Sequence, residues 1–175
     1  MQQQRKIKLF VIPFEEDDPK KCTAEKLKRF GMVAFTSKPI GLVLNPFSDV
    51  LIKQMPEDEA IFALKGITAI DASWKKREEW GMKFLNRYAR RLPLLIAANP
   101  INYARPHMLS TVEALAAVLY IMDQIELAET ILAKFKWGPN FLKLNQRALE
   151  TYRKSTDIVS AEKKVSEKYA EYFRI

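Results

Sequence analysis

Glycine, cysteine and histidine are all scarce in this 175-residue chain, and each scarcity removes a class of chemistry. With five glycines, no GxGxxG and no P-loop, a nucleotide phosphate cradled on glycine-rich backbone is disfavoured. The single cysteine, Cys22, excludes an intrachain disulfide framework or a cysteine-rich zinc cluster and fits a reducing compartment. The single histidine, His107, excludes HExxH zinc sites and triads built on two histidines. No metal is expected. Long apolar runs are missing too: none approaches the roughly 18 residues of a membrane span, and the Met1-Gln-Gln-Gln-Arg-Lys start lacks the core of a signal peptide. A soluble, cytoplasmic protein is the expectation.

What the chain does have is 48% hydrophobic residues, enough to bury one substantial core or two small ones. It also has 29 Lys and Arg against 21 Asp and Glu, a net charge of +8, which favours a polyanionic partner such as RNA.

Four apolar runs read as buried strands: Ile7 to Pro13, Ile40 to Pro46, Ile67 to Asp71 and Leu92 to Ala98. Helical stretches separate them, beginning with Thr23 to Arg29, then Pro56 to Leu64 and Lys75 to Asn86, so an α/β fold with a mostly parallel sheet is predicted. An acidic turn, Glu15 to Asp18, precedes the first helix. From Ser110 onward the periodicity is helical throughout, with helices over Ala114 to Met122, Glu126 to Lys134, Asn140 to Tyr152 and Asp157 to Phe173.

In open α/β sheets ligands bind beyond the carboxyl ends of the strands. Here those ends are Leu44-Asn-Pro46, Asp71-Ala-Ser-Trp74 and the loop from Asn99 to Pro106, with a helix start at Ser110 whose free N–H groups favour an anion. Asp71 reads as a general base, a group that orients an amine, or a cap for the next helix. Trp74 is a pocket wall or ordinary core, and His107 is a stacking partner for a base or adenine ring, or simply an exposed loop residue. Glu113 is most economically a capping residue, and is kept as a second catalytic candidate. Basic clusters at Lys20-Lys21, Lys26 to Arg29, Lys75 to Arg77, Arg87 to Arg91 and Lys134 to Lys136, interleaved with Trp80, Tyr88 and Trp137, could supply phosphate contacts and stacking surfaces; a solvated helix face is the default reading of any single cluster.

Taken in order, Cys22-Thr-Ala, Asp71-Ala-Ser-Trp74, Leu92 to Pro106 (LPLLIAANPINYARP), Leu109 to Ala117 (LSTVEALAA) and Phe135 to Asn145 (FKWGPNFLKLN) resemble the ribosome-biogenesis family of aminocarboxypropyltransferases, over a stretch from Ile7 to Tyr152. That family completes a hypermodified pseudouridine in small-subunit ribosomal RNA. The resemblance implies a small N-terminal α/β domain, 1–65, and a SPOUT-like domain, 66–175, that holds S-adenosylmethionine in a deep trefoil knot and ends in helices, in a monomer. Thr23, Ile70, Leu92, Tyr103, His107 and Thr111 fall where the family contacts this cofactor, and Trp74 falls beside its methyl group. The chain departs from the family pattern with Lys21 for aspartate, Ala72 for cysteine, Ala104 for glycine, and His107 for a larger aromatic. On this resemblance Asp71 is the first choice for the group that handles the acceptor's proton and Glu113 the second. The rivals are a SPOUT-type RNA methyltransferase and a non-catalytic ribosome-assembly factor.

Overall fold

The structure, a computed structural model, describes residues 6–14 and 23–173. The acidic turn at Glu15 to Asp18, Lys20, Lys21 and Cys22 lie outside the described residues.

Among the described residues, strands β1 (Leu9–Pro13), β2 (Ala34–Phe35), β3 (Leu42–Leu44), β4 (Ile67–Asp71) and β5 (Ala89–Arg90) form one sheet in the order β2-β1-β4-β3-β5. Every pairing is parallel, so all five carboxyl ends lie along one edge. Pro13 stands opposite Asp71, and Leu44 opposite Arg90. The central strands are apolar because both faces are covered. Val11, Ile67 and Ala69 point into the main core, while Ile12 and its register partner Ile70 join Trp80 and Phe84 in a smaller cluster on the opposite face. Where β1 and β4 begin, two backbones meet on glycine: a Cβ on Gly66, whose φ is +81°, would lie 2.0 Å from the Lys8 carbonyl oxygen.

Helices α1 (Thr23–Arg29), α2 (Asp58–Lys65), α3 (Arg77–Lys83), α4 (Thr111–Ile121), α5 (Ile125–Leu132), α6 (Gly138–Lys154), α7 (Ile158–Glu167) and α8 (Tyr169–Tyr172) complete the fold. The spine is α4, apolar on all sides and buried from Leu115 to Ile121, and it contacts β4, α1, α5 and α6. None of the described helices is long and apolar enough to cross a membrane.

Two departures from the sequence reading have physical causes. The predicted strand Leu92–Ala98 is buried and extended, yet it is not a strand of the sheet. Its backbone groups find other partners. The Asn145 side chain accepts from the Ile96 amide at 2.8 Å and donates to the Ile96 carbonyl at 2.9 Å, standing in for a neighbouring strand. Tyr152 donates to the Leu94 carbonyl, the Leu94 amide donates to Glu162, and the Ala97 and Leu95 carbonyls accept from the Ala104 and His107 amides of the returning loop. The strand next to β3 is instead β5, hidden inside a basic cluster because Arg90 is buried, 2% exposed, in a fork with Asp58. The long last helix is broken at Lys168 into α7 and α8. The boundary expected at 65/66 falls between α2 and β4, and β4 inserts between β1 and β3, so the sheet draws its strands from both sides of that point.

Candidate active site

The carboxyl ends of β3, β4 and β5 open into one cavity of about 1190 Å³. Its walls come from Leu44 to Phe47 after β3, Ala69 to Lys75 on and after β4, Arg91 to Pro93 after β5, the loop around Asn99 to Leu109, the first residues of α4, and Thr23 at the start of α1. This is where a parallel sheet leaves its strand ends unfilled.

Asp71 lies on the face of β4 that α4 covers, and its Oδ1 accepts from the Thr111 hydroxyl at 2.9 Å. That bond joins the strand end to the helix start at the cavity wall. Asp71 does not cap the following helix. Ser73 does, accepting from the Lys75 amide at 3.2 Å ahead of a short 3-10 turn, Trp74–Lys76. On the other side, the Thr23 hydroxyl accepts from the Val112 amide at 3.3 Å, fastening α1 to the first turn of α4.

Trp74 is fixed at two points. Its Nε1 donates to the Leu109 carbonyl at 3.1 Å, and its ring meets Trp80 edge-on at 5.9 Å. It is a rigid, half-buried indole, and Ile70, Leu92, Leu95 and Leu109 extend the apolar wall. His107 reaches the cavity from a backbone with φ of +64°, and Ala104 has φ of +66° in the same loop. Two non-glycine residues in the left-handed region mark a loop held against its own preference. Desolvation of the imidazole holds its pKa below the usual histidine value, against a smaller opposite pull from Glu162; the residue stays solvent-exposed, so water screens part of the effect.

Glu113 is absent from the cavity wall. It is fully buried and accepts four hydrogen bonds: from the Ala98 amide at 2.6 Å, Asn99 Nδ2 at 2.7 Å, the Ser110 hydroxyl at 2.9 Å and the Ser110 amide at 3.0 Å. This is a capping box that also clamps the loop from Ala98 to Ser110 onto α4. Tyr103 is 50% exposed on that loop and is likewise not on the wall.

Of the basic clusters, Lys75, Arg77, Arg91 and, on the loop, Arg105 line the cavity. Arg91 is held in a bidentate pair with Glu162 at 3.0 and 3.1 Å. Other basic groups lie over aromatic rings, Lys26 over Phe135 and Lys134 over Phe30. Phe47 and Arg105 were not singled out by sequence; nothing local distinguishes an aromatic after a strand, or an arginine in a loop, from ordinary surface. Among the described residues no group of three or more His, Cys, Asp or Glu is placed to hold a metal ion.

The walls suit an amphiphilic ligand with a flat or apolar part and a charged end. Apolar side chains and an indole line part of it, and hydroxyls, a carboxylate and a helix start line the rest.

The sequence profile of the family described as "Ribosome biogenesis protein, C-terminal" matches residues 42–170. A second, described as a possible Fer4-like domain in RNase L inhibitor, matches residues 7–39. A chain with one cysteine lacks the four thiolates such a cluster takes. The chain is 45% identical over 167 residues to the 16S rRNA aminocarboxypropyltransferase of Methanothermobacter thermautotrophicus, covering 90% of this chain and 98% of the relative. It is 38% identical over 167 residues to the enzyme of that name from Saccharolobus solfataricus, covering 94% and 99%. Among solved structures, the SAM-dependent rRNA:acp-transferase Tsr3 from Vulcanisaeta distributa superposes with a TM-score of 0.80 at 38% identity, covering 91% of this chain and 89% of that one.

Proposed function

The chain belongs to the ribosome-biogenesis family of 16S rRNA aminocarboxypropyltransferases, and from that premise we propose how its cavity performs the reaction. It is an S-adenosylmethionine-dependent enzyme that transfers a 3-amino-3-carboxypropyl group to 16S rRNA. The acceptor we propose is a hypermodified pseudouridine. Bound S-adenosylmethionine supplies a carbon made electrophilic by the adjacent sulfonium, so that a nucleophile displaces methylthioadenosine.

The choice among the three sulfonium carbons rests on orientation. In this reading Trp74 and its apolar neighbours shield the methyl end, Ile70 and Leu92 hold the nucleoside, and Thr23, Thr111 and the first turn of α4 receive the carboxylate. His107 borders the adenine, and Tyr103, off the wall on the same loop, is kept as a donor contact on the family resemblance. Asp71, kept in place by Thr111, receives or orients the proton of the attacking ring nitrogen. Glu113 serves as a positioning residue. The observation that carries this reading is that Asp71 and six of the seven expected donor-contacting residues, Thr23, Ile70, Trp74, Leu92, His107 and Thr111, line the same cavity.

The finer fold assignment is a SPOUT-like trefoil knot. The return of chain from Leu92 to Leu109, buried over its first half and clamped on α6 by Asn145 and on α4 by Glu113, is where such threading would lie. The enzyme is taken to work as a cytoplasmic monomer. Its single cysteine suits a reducing compartment and its +8 charge suits association with RNA.

The test uses S-adenosylmethionine labelled either in the aminocarboxypropyl arm or in the methyl group, incubated with the enzyme and 16S rRNA. Label from the arm is expected in the RNA. Label from the methyl group alone would identify a methyltransferase instead, and label from neither, with no saturable donor binding, a non-catalytic RNA-binding factor.

A further inference from the structure

The cavity has one feature that donor binding does not use. Phe47, just beyond β3, lines it while remaining 37% exposed. Isolated surface aromatics need no explanation, but this one is built into place. Its amide donates to Asn45 Oδ1 at 2.9 Å, and Asn45 Nδ2 donates to the Gly81 carbonyl on α3 at 2.7 Å. Asn45 is itself buried, 2% exposed, so the lock is shielded from water. The ring then rests on Gly81: a Cβ there would lie 2.2 Å from Cδ2 and 2.5 Å from Cε2 of Phe47. Gly81 has no positive φ to explain its presence in a helix, where glycine is unfavourable. Its use is to let the ring sit down on the α3 backbone.

The surroundings suit a nucleotide. Lys75 and Arg77 line the same cavity, and Arg77 Nη1 is held by the Trp74 carbonyl at 3.0 Å. Arg105 and the 72% exposed Ile101 add a cation and an apolar contact from the loop. At about 1190 Å³ the cavity exceeds the ~300–1000 Å³ of most small-ligand sites, leaving space for part of an acceptor beside the donor. An enzyme that modifies a base takes it out of its stack, and an aromatic side chain can replace the stacking that is lost.

We infer that Phe47, seated on Gly81 and pinned by Asn45, is the platform on which the acceptor base stacks while Lys75, Arg77 and Arg105 hold its flanking phosphates. This rests on the reading above that the acceptor is an RNA base. The ring fixes the base in the cavity and takes no part in the chemical step.

The test compares wild type, F47A, F47W and G81A for donor affinity by calorimetry and for kcat and KM in transfer to 16S rRNA. Phe47→Ala is expected to raise the KM for RNA about 5- to 150-fold while donor affinity stays within about twofold, as loss of one stacking contact requires. Phe47→Trp should restore most of the RNA affinity. Gly81→Ala should move KM in the same direction as Phe47→Ala while thermal melting shows an intact fold, because the new methyl group displaces the ring and suits the helix better. An unchanged KM for RNA in both Phe47→Ala and Gly81→Ala would overturn the inference. So would a loss of donor affinity that accounts for the whole defect, since the ring would then be packing the donor. Absence of aminocarboxypropyl transfer by the wild type would instead strike the reading of the enzyme itself.

Discussion

Replacing Glu113 by Gln separates a residue that holds the site from one that reacts in it. The carboxylate faces three donors with Oε1, which are Asn99 Nδ2, the Ser110 hydroxyl and the Ser110 amide, and one donor with Oε2, the Ala98 amide at 2.6 Å. A glutamine keeps its oxygen toward the three and turns its NH₂ toward the fourth, setting donor against donor in a site that water does not reach. One bond to a charged acceptor, about 1.5–3 kcal/mol, is lost, and the other three weaken because an amide oxygen accepts less strongly than a carboxylate, for a total of about 2–4 kcal/mol. At about 2–4 °C per kcal/mol for a chain of this length, the melting temperature should fall by about 4–16 °C. The loop from Ala98 to Ser110 is part of the cavity wall, so donor KM should rise while kcat at saturating donor stays within about fivefold. Thermal melting, calorimetric donor titration and saturated transfer rates measure the three quantities. An unchanged melting temperature and donor KM with a collapsed kcat would refute the positioning role and return Glu113 to the chemistry.

Asp71→Asn removes the charge and keeps the shape, and the bond from Thr111 can survive it; transfer should drop about 100-fold or more with donor affinity nearly unchanged, and a normal product yield would remove Asp71 from proton handling. Asp58→Ala strands the Arg90 guanidinium in the core, with 3% of its side chain exposed, and should cost about 3–5 kcal/mol in denaturant unfolding; a loss below about 1 kcal/mol would mean that water reaches the site. His107 is the only histidine, so a single imidazole signal reports it in NMR. Its folded pKa lies below 6.5, so its share of stability is full above that value and fades as pH falls toward the folded pKa; a midpoint at or above 6.5 would contradict the desolvation that the cavity imposes.

The elements legible from sequence are those whose own residue pattern matches the role they take in the fold. Ile67–Asp71 stands where its apolar run placed it, and Ser110 with Glu113 forms the capping box that the spacing of the two residues indicated. The part that was not legible depends on distant partners. Leu92–Ala98 has the composition of a strand, but its hydrogen bonds are met by Asn145, Tyr152 and Glu162, side chains 49 to 68 residues further along. Strand β5 is masked because Arg90 is buried by Asp58, 32 residues away. The same holds in the site. Asp71 and Trp74 were marked by a strand end and Thr111 by the family resemblance, whereas Phe47 owes its place to Gly81, which lies on another element.

A crystal structure with S-adenosylmethionine bound would test most directly which carbon the cavity offers to RNA. The account requires the methyl group to be enclosed beside Trp74 and the reacting carbon of the aminocarboxypropyl arm to be reachable from solvent, with its carboxylate at Thr23 or the start of α4. A methyl group open to solvent, with the amino-acid arm sealed inside, would contradict it.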